Sequence, residues 1–558
     1  MKIPTRALRT SSVIAALTLS AYAFADTKPT WVLSLDSQVR WFRDAPAGVV
    51  LVGTDQEVLG VGSADGVVRW RLGPAEETSY KDVEPLDPLP FALVSLGKRK
   101  APGLPATFLV DLRDGRTVWT ADSLDVGWSI GSRLLQGQDR LLLRAALKPK
   151  GKVQTAILVD LKTGHPIWTN QQLGENFVPD PVLAAGIRGR EGPLMDSDST
   201  MILFMNSRTL RRYNLMTGAV LWESRDLPGP SAGFLERLGD ETDMRSDEEK
   251  EKEKQAKEEE QMRSVVDVWC APMIVGSGGD RFYAPYRNTV AAFSRQDGKR
   301  LWKKVPKLDG IVVQMQEIPS GLIVRTFSKS DSPHFKVELL DRGSGHPKWR
   351  VPGKGSTLLA KLGGTWSSAS NFIVDGDRML IATEGSLVAV DLAEGREHTL
   401  TELGFESGDD PAILLRVPDG FSISGAQNLG IYAADDGRRI KKFYREAPGG
   451  TGLGLALLGL SAVSYVYEFG EGLLPPSVGF NELMKDYTAN QSRDEYSFFL
   501  VDLKVENDTK PGLVRVNRRT GEAEGEVVLG SKKPDYVIDS DGQVIFRPDS
   551  RTLHCYRF

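Results

Sequence analysis

Cysteine is almost missing from this 558-residue chain, with only Cys270 and Cys555 present. Neither has a metal-ligand neighbour, so a thiolate metal site is excluded. In an oxidising compartment the two are free to pair, and otherwise they read as small buried side chains. Histidine is also scarce, at five. His165 and His346 occupy the same place, Gly-His-Pro, in two copies of one hairpin, His398 follows a third, and His334 and His554 stand alone. Side chains fixed on hairpins of different units point apart, which argues against a shared metal. No Gly-x-Ser-x-Gly, His-Glu-x-x-His or phosphate-cradling glycine loop occurs. Long apolar runs are lacking too. The stretch Gly449 to Val463 is too short and too rich in glycine for the ~18 to 20 residues of a membrane span, and reads as an inner strand. Basic excess is absent, since the formal charge is −4, which argues against a nucleic-acid partner.

What the chain has is glycine, 56 of them, in a recurring setting. Asp160-Leu-Lys-Thr-Gly-His-Pro-Ile-Trp168 follows the apolar run Thr155 to Val159 and reads as strand, tight turn, strand. Asp160 caps the turn, Gly164 supplies its positive φ, and Trp168 lies four residues on. The turn glycine recurs at Gly66, Gly115, Gly164, Gly218, Gly298, Gly345, Gly395, Gly437 and Gly521. Four residues later come Trp70, Trp119, Trp168, Trp222, Trp302 and Trp349, after which Thr399, Lys441 and Gly525 replace the indole. The glycine spacings are 49, 49, 54, 80, 47, 50, 42 and 84, so the unit matches a four-stranded propeller blade, with two insertions. One such unit cannot bury its tryptophan alone, and stacking on a neighbour buries both. The chain ends on Gln543 to Phe546 and Arg551 to Tyr556 without an outer strand, while Trp31 to Leu35 near the start has that strand's character. The expected fold is all-β: a single large β-propeller of eight to ten four-stranded blades over 26–558, the last blade closed by the N-terminal strand.

The pattern Asp-x-x-Thr-Gly-x-x-x-Trp, in Asp160 to Trp168 and in variants at Asp111 to Trp119 and Asn214 to Trp222, resembles the repeat of the quinoprotein-dehydrogenase-like (PQQ-repeat) β-propellers. That superfamily contains pyrroloquinoline-quinone dehydrogenases and non-enzymatic members, such as the propeller lipoprotein of the outer-membrane assembly machinery. The resemblance covers about 30 to 558 and bears on fold, because the repeated residues build blades. For the dehydrogenases it implies calcium, a carboxylate base, an axial tryptophan and a disulfide between adjacent cysteines. No adjacent cysteine pair exists here and no site residue carries over through a matching motif. Asp196-Ser-Asp198 and Asp539-Ser-Asp541-Gly542 lack the distal glutamate of a calcium loop and read as turns. No catalytic, cofactor or metal residue is therefore assigned, and the chain stands closer to the non-enzymatic members.

Residues 1–25 read as a signal peptide: Lys2, Arg6 and Arg9, the apolar core Val13 to Leu19, then Ala23-Phe24-Ala25 before the cut. Loss of those three basic residues takes the charge to about −7. With no cysteine in that region, no lipid anchor is expected, and a periplasmic or secreted protein is. Within the ring, 240–263 carries 11 acidic and 6 basic residues and reads as a solvated insertion. Residues 471–495 read as a loop insertion whose Leu473, Leu474, Phe480, Leu483, Met484 and Tyr487 are candidate partner contacts. The basic tip Lys98-Arg99-Lys100 reads as solvated. The functional expectation is a non-enzymatic protein-binding or scaffold module of the bacterial cell envelope with unidentified envelope protein partners. A PQQ- and calcium-dependent dehydrogenase and a carbohydrate- or peptidoglycan-binding propeller are the alternatives.

Overall fold

In the computed structural model the described residues are 28–73, 78–95, 107–124, 126–135, 139–147, 154–176, 194–197, 199–206, 209–225, 273–286, 288–328, 334–352, 366–406, 409–448, 491–493, 495–505 and 508–558. Their strands form ten antiparallel sheets, the blades of one β-propeller. Blades 1 to 9 span 39–72, 83–120, 126–170, 194–224, 274–302, 311–351, 369–402, 413–444 and 491–528. Blade 10 combines 535–556 with Trp31–Ser34, whose register runs from Trp31 opposite Cys555 to Ser34 opposite Thr552. Blade 5 has three full strands; its outer edge is a bridge between Phe293 and Arg300 plus a Leu301 to Ala292 hydrogen bond. The ring thus has the largest blade number the repeat count allows. The span 471–495 ends differently from the expected loop, because Gln491–Arg493 pairs with Tyr496–Phe498 as the inner strand of blade 9.

Ten apolar clusters hold the ring, one at each junction between neighbouring blades. The closing junction is of the same kind: Trp31, Ile545, Leu553 and Cys555 of blade 10 pack with Val50, Val52, Leu59 and Val61 of blade 1. Alternation along each strand explains this, since successive side chains serve opposite faces and both faces of every blade are covered.

The repeat residues are the keys of these junctions. Each turn glycine has φ near +70°, and its amide donates to the carbonyl four residues back, as Gly164 does to Asp160 at 2.8 Å. Asp160 Oδ1 accepts from the amides of Lys162 and Thr163 and from the Thr163 hydroxyl. The tryptophan of one blade then lies on the glycine of the next. A Cβ on Gly115 would stand 2.6 Å from Trp70, and on Gly345 2.6 Å from Trp302. Each indole also donates to a carbonyl of that next turn: Trp70 to Leu112, Trp119 to Leu161, Trp168 to Leu215, Trp222 to Arg295, Trp302 to Arg342 and Trp349 to Leu392. Trp31 does the same to Ser63 across the closure, over Gly66. Where the indole is lost, Leu400 lies against Gly437 and Lys441 against Gly521.

Turn capping carries a pH signature. Asp341 accepts from the Ser344 hydroxyl and amide at 2.8 Å each and lies 3.3 Å from Lys348, and these contacts hold its pKa down to about 2. Its charged form is favoured in the folded state, so this stabilisation is whole above the unfolded value of about 3.9 and disappears as pH falls through about 2. Asn214 and Asn517 make the same amide contacts in their turns without charge. Asp341→Asn is therefore expected to keep the turn while flattening the acid limb of stability. Urea midpoints from pH 6 to pH 2 check this: the gap between wild type and variant should close toward pH 2, and a gap constant across the range contradicts it.

Candidate functional site: the loop-bearing rim

Antiparallel blades sort their connections onto two rims. Links from first to second and from third to outer strand emerge on one rim; links from second to third strand, and from blade to blade, emerge on the other. The first rim is tight: its turns include 46–48, 319–320, 376–377 and 418–419, together with the repeat turns 63–67, 112–116, 161–165, 215–219, 342–346, 392–396, 434–438 and 518–522. The described strands that flank the long connections 96–106, 171–193, 225–273, 352–368 and 445–490 end on the other rim. In sequence, 240–263 lies between blades 4 and 5, and the greater part of 471–495 between blades 8 and 9. Residues 240–263, the tip Lys98 to Lys100, Gly449 to Val463 and the contact candidates Leu473, Leu474, Phe480, Leu483, Met484 and Tyr487 lie outside the described residues.

The described part of this rim is most elaborate over blades 6 to 8. The inner strand of blade 7, Ala369–Asp375, carries a bulge between Ala369 and Phe372 that turns Ser370 and Asn371 out of the ladder. Two side-chain amides clamp the adjacent inner strands. Gln314 of blade 6 donates to the Phe372 carbonyl at 2.9 Å and accepts from its amide at 3.0 Å, and Asn371 treats Leu414 of blade 8 likewise at 2.8 Å each. Just before the bulge, Ser367 donates to Glu384 through its amide and hydroxyl, and Ser368 donates to Asp410 at 2.8 Å. Asp409 accepts from the amides of Ala426, Gln427 and Asn428 and from the Asn428 side chain, fixing the link between blades 7 and 8 on the next turn. Burial raises the Asp410 pKa, and the charges of Asp409 and Glu384 push the same way. Glu406, paired with Lys442, adds a further carboxylate. The result is an acid-rich edge whose carboxylates are held in place by Ser367, Ser368, the 426–428 turn and Lys442.

The repeat residues Gly66 to Trp349 stand at blade junctions and build none of this edge. His165, His346 and His398 are exposed on different blades. Asp196 meets no cation site: Arg212 and Arg295 hold its carboxylate at 2.8 and 2.7 Å. Asp539 caps its own turn, accepting from the amides of Asp541 and Gln543 and from the Gln543 side chain. Cys555 is a buried free thiol. Among the described residues no group of three His, Cys, Asp or Glu is placed to hold a metal ion, and no helix is long and apolar enough to cross a membrane. The inner-strand amides of Gln314 and Asn371 are spent on neighbouring backbone.

Two ionic junctions on the tight rim escaped the sequence reading. At the second position of the repeat turn, Leu112, Leu161, Leu215 and Leu392 fill the core, but Arg295 and Arg342 stand in the same place in blades 5 and 6. Arg342 reaches Glu317 at 3.1 Å, which also accepts from the Tyr283 hydroxyl at 2.6 Å. Arginine where its repeats carry leucine was the available signal.

Residues 108–249 and 251–417 match the family described as outer membrane protein assembly factor BamB. The chain belongs to this family. BamB from Moraxella catarrhalis is similar at 15% identity and a TM-score of 0.33, over 73% of this chain and 97% of that one. A computationally designed protein, Ika8, matches at 11% identity and 0.31, over 74% and 98%. Dihydro-heme d1 dehydrogenase NirN in complex with DHE matches at 16% and 0.33, over 65% and 66%. No curated protein matches the chain. Membership of the BamB family supports an envelope propeller of the non-enzymatic kind.

Proposed function

We propose that this protein is a protein-binding scaffold of the bacterial cell envelope that meets its partner through the loop-bearing rim, in the service of outer-membrane protein assembly. The observation that carries the reading is the asymmetry of the ring: one rim is closed by turns of a few residues, while the strands flanking the long connections end on the other, which also carries the acid-rich edge of blades 6 to 8. Binding residues gather on loops held by a rigid scaffold, which this arrangement provides. The family description supplies the process. Export after cleavage near Ala25 and a periplasmic location belong to the same proposal, with the basic start and apolar core of residues 1–25 as support.

The test is crosslinking in living cells from single photoreactive residues. Ser367 and Glu406 sample the loop-bearing rim, and Arg116 and Arg438 the tight rim. A discrete partner is expected from the first pair and not from the second. Equal labelling from both rims, or none from Ser367 and Glu406, rejects the assignment of the rim. Thermal unfolding with and without pyrroloquinoline quinone and calcium tests the scaffold reading from the other side, because a ligand of the native state raises the midpoint. A saturable rise would replace the scaffold by a quinoprotein.

A further inference from the structure

The second strand of blade 6, Gly321–Ser328, alternates strictly. Leu322 and Val324 pack toward blade 5, while Ile323 and Phe327 pack toward blade 7 among Phe335, Val337, Trp366 and Ala369. Arg325 lies between them on the blade 7 face and is fully buried. One guanidinium nitrogen, Nη1, donates to the backbone carbonyls of Ala369 and Ser370. The Phe335 ring covers the group from 5.1 Å. Its Nε and Nη2, which form the edge with two parallel N–H groups, meet no acceptor among the described residues. At two other described arginines the same edge meets an oxygen pair: Arg113 offers it to both carboxylate oxygens of Asp111, and Arg295 offers it to the carboxylate and the backbone carbonyl of Asp196 at 2.7 Å each.

Among the described residues Arg325 has no such acid. Burial lowers its pKa to about 9 with no ionised group acting on it, so the guanidinium remains charged at neutral pH. A buried charge without a counter-charge costs several kcal/mol, and buried charges in folded proteins are paired. We propose that the junction of blades 6 and 7 holds a small monovalent anion, chloride in the cell, on the Nε–Nη2 edge of Arg325. A single positive charge among apolar neighbours is neutralised by one negative charge, whereas a divalent anion would leave an excess buried. Small size follows from the cover: Phe335 and Trp366 exchange backbone hydrogen bonds over this junction and are themselves buried.

The experiment is thermal unfolding of the full chain at constant ionic strength while chloride replaces gluconate, a monovalent anion too bulky for the junction. The wild-type midpoint should rise by roughly 2 °C or more and saturate. Arg325→Met should show no chloride dependence, and in gluconate it should be at least as stable as wild type, because it removes an uncompensated buried charge. Should the variant fail to fold, wild-type crystals in bromide give the answer, with an anomalous peak expected beside Nε and Nη2. A chloride-independent wild-type midpoint, or bromide found only at the surface with water beside Arg325, overturns the proposal.

Discussion

Trp302→Ala is expected to lower the unfolding free energy by about 3 to 5 kcal/mol, the range for truncating a fully buried large aromatic. Trp302 is completely enclosed, packs 5.7 Å from the Tyr283 ring and lies over Gly345. Alanine there empties the centre of the junction between blades 5 and 6, and it also strips the Arg342 carbonyl of the indole donor that reaches it at 3.0 Å. Blade 5 has the least regular outer edge, so little else at that circumference compensates. Trp168 offers an internal contrast, being only half-buried, and its alanine variant should lose clearly less. Urea unfolding of the two variants decides the matter. A loss near 1 kcal/mol for Trp302→Ala, or equal losses for both, would show that the indoles do not key the junctions.

The second large effect concerns closure, and Cys555 reports it. Its thiol is fully buried between Gln543 and Ser63, and burial pushes its pKa up to about 12, so neither access nor thiolate is available to a maleimide. Trp31 seals that pocket by packing in the same cluster and donating to the Ser63 carbonyl at 2.8 Å. In a Cys270→Ser background, Trp31→Ala should therefore open the closing blade locally. A loss of about 3 kcal/mol there raises the open population, and with it the labelling rate, on the order of 100-fold. Trp168→Ala, a third of the ring away, should leave native labelling almost unchanged. Equal acceleration by both would mean that the ring opens only by global unfolding, with no weak point at the join.

Much of this architecture is legible in the sequence because its keys are local. Positive φ at Gly164 and side-chain capping by Asp160 are consequences of a few adjacent residues, and the closing strand is recognisable from Trp31. Blade number was harder to read, since two links carry insertions and the outer tryptophan gives way to Thr399, Lys441 and Gly525, leaving the count between eight and ten. The direction of docking was hidden for a different reason: nothing in the spacing says that Trp70 seals Gly115 rather than its own turn. The acid-rich edge was invisible because Ser367, Glu384 and Asp410 come from three separate connections. Arg325 did leave a trace, as the one charge in an apolar alternation, Ile323-Val324-Arg325-Thr326-Phe327.

Trp31–Ser34 precedes blades 1 to 9 in the sequence, and its partner strand, Thr552–Tyr556, follows them. A ribosome delivers the first of these strands before blades 1 to 9 and the second after them. Until the final residues arrive, nine sheets stand as an open arc with a bare strand edge and an uncovered apolar face at each end. The interval between the emergence of Trp31 and that of Tyr556 is thus the period in which the newborn chain is most exposed to proteases and to pairing with its own copies.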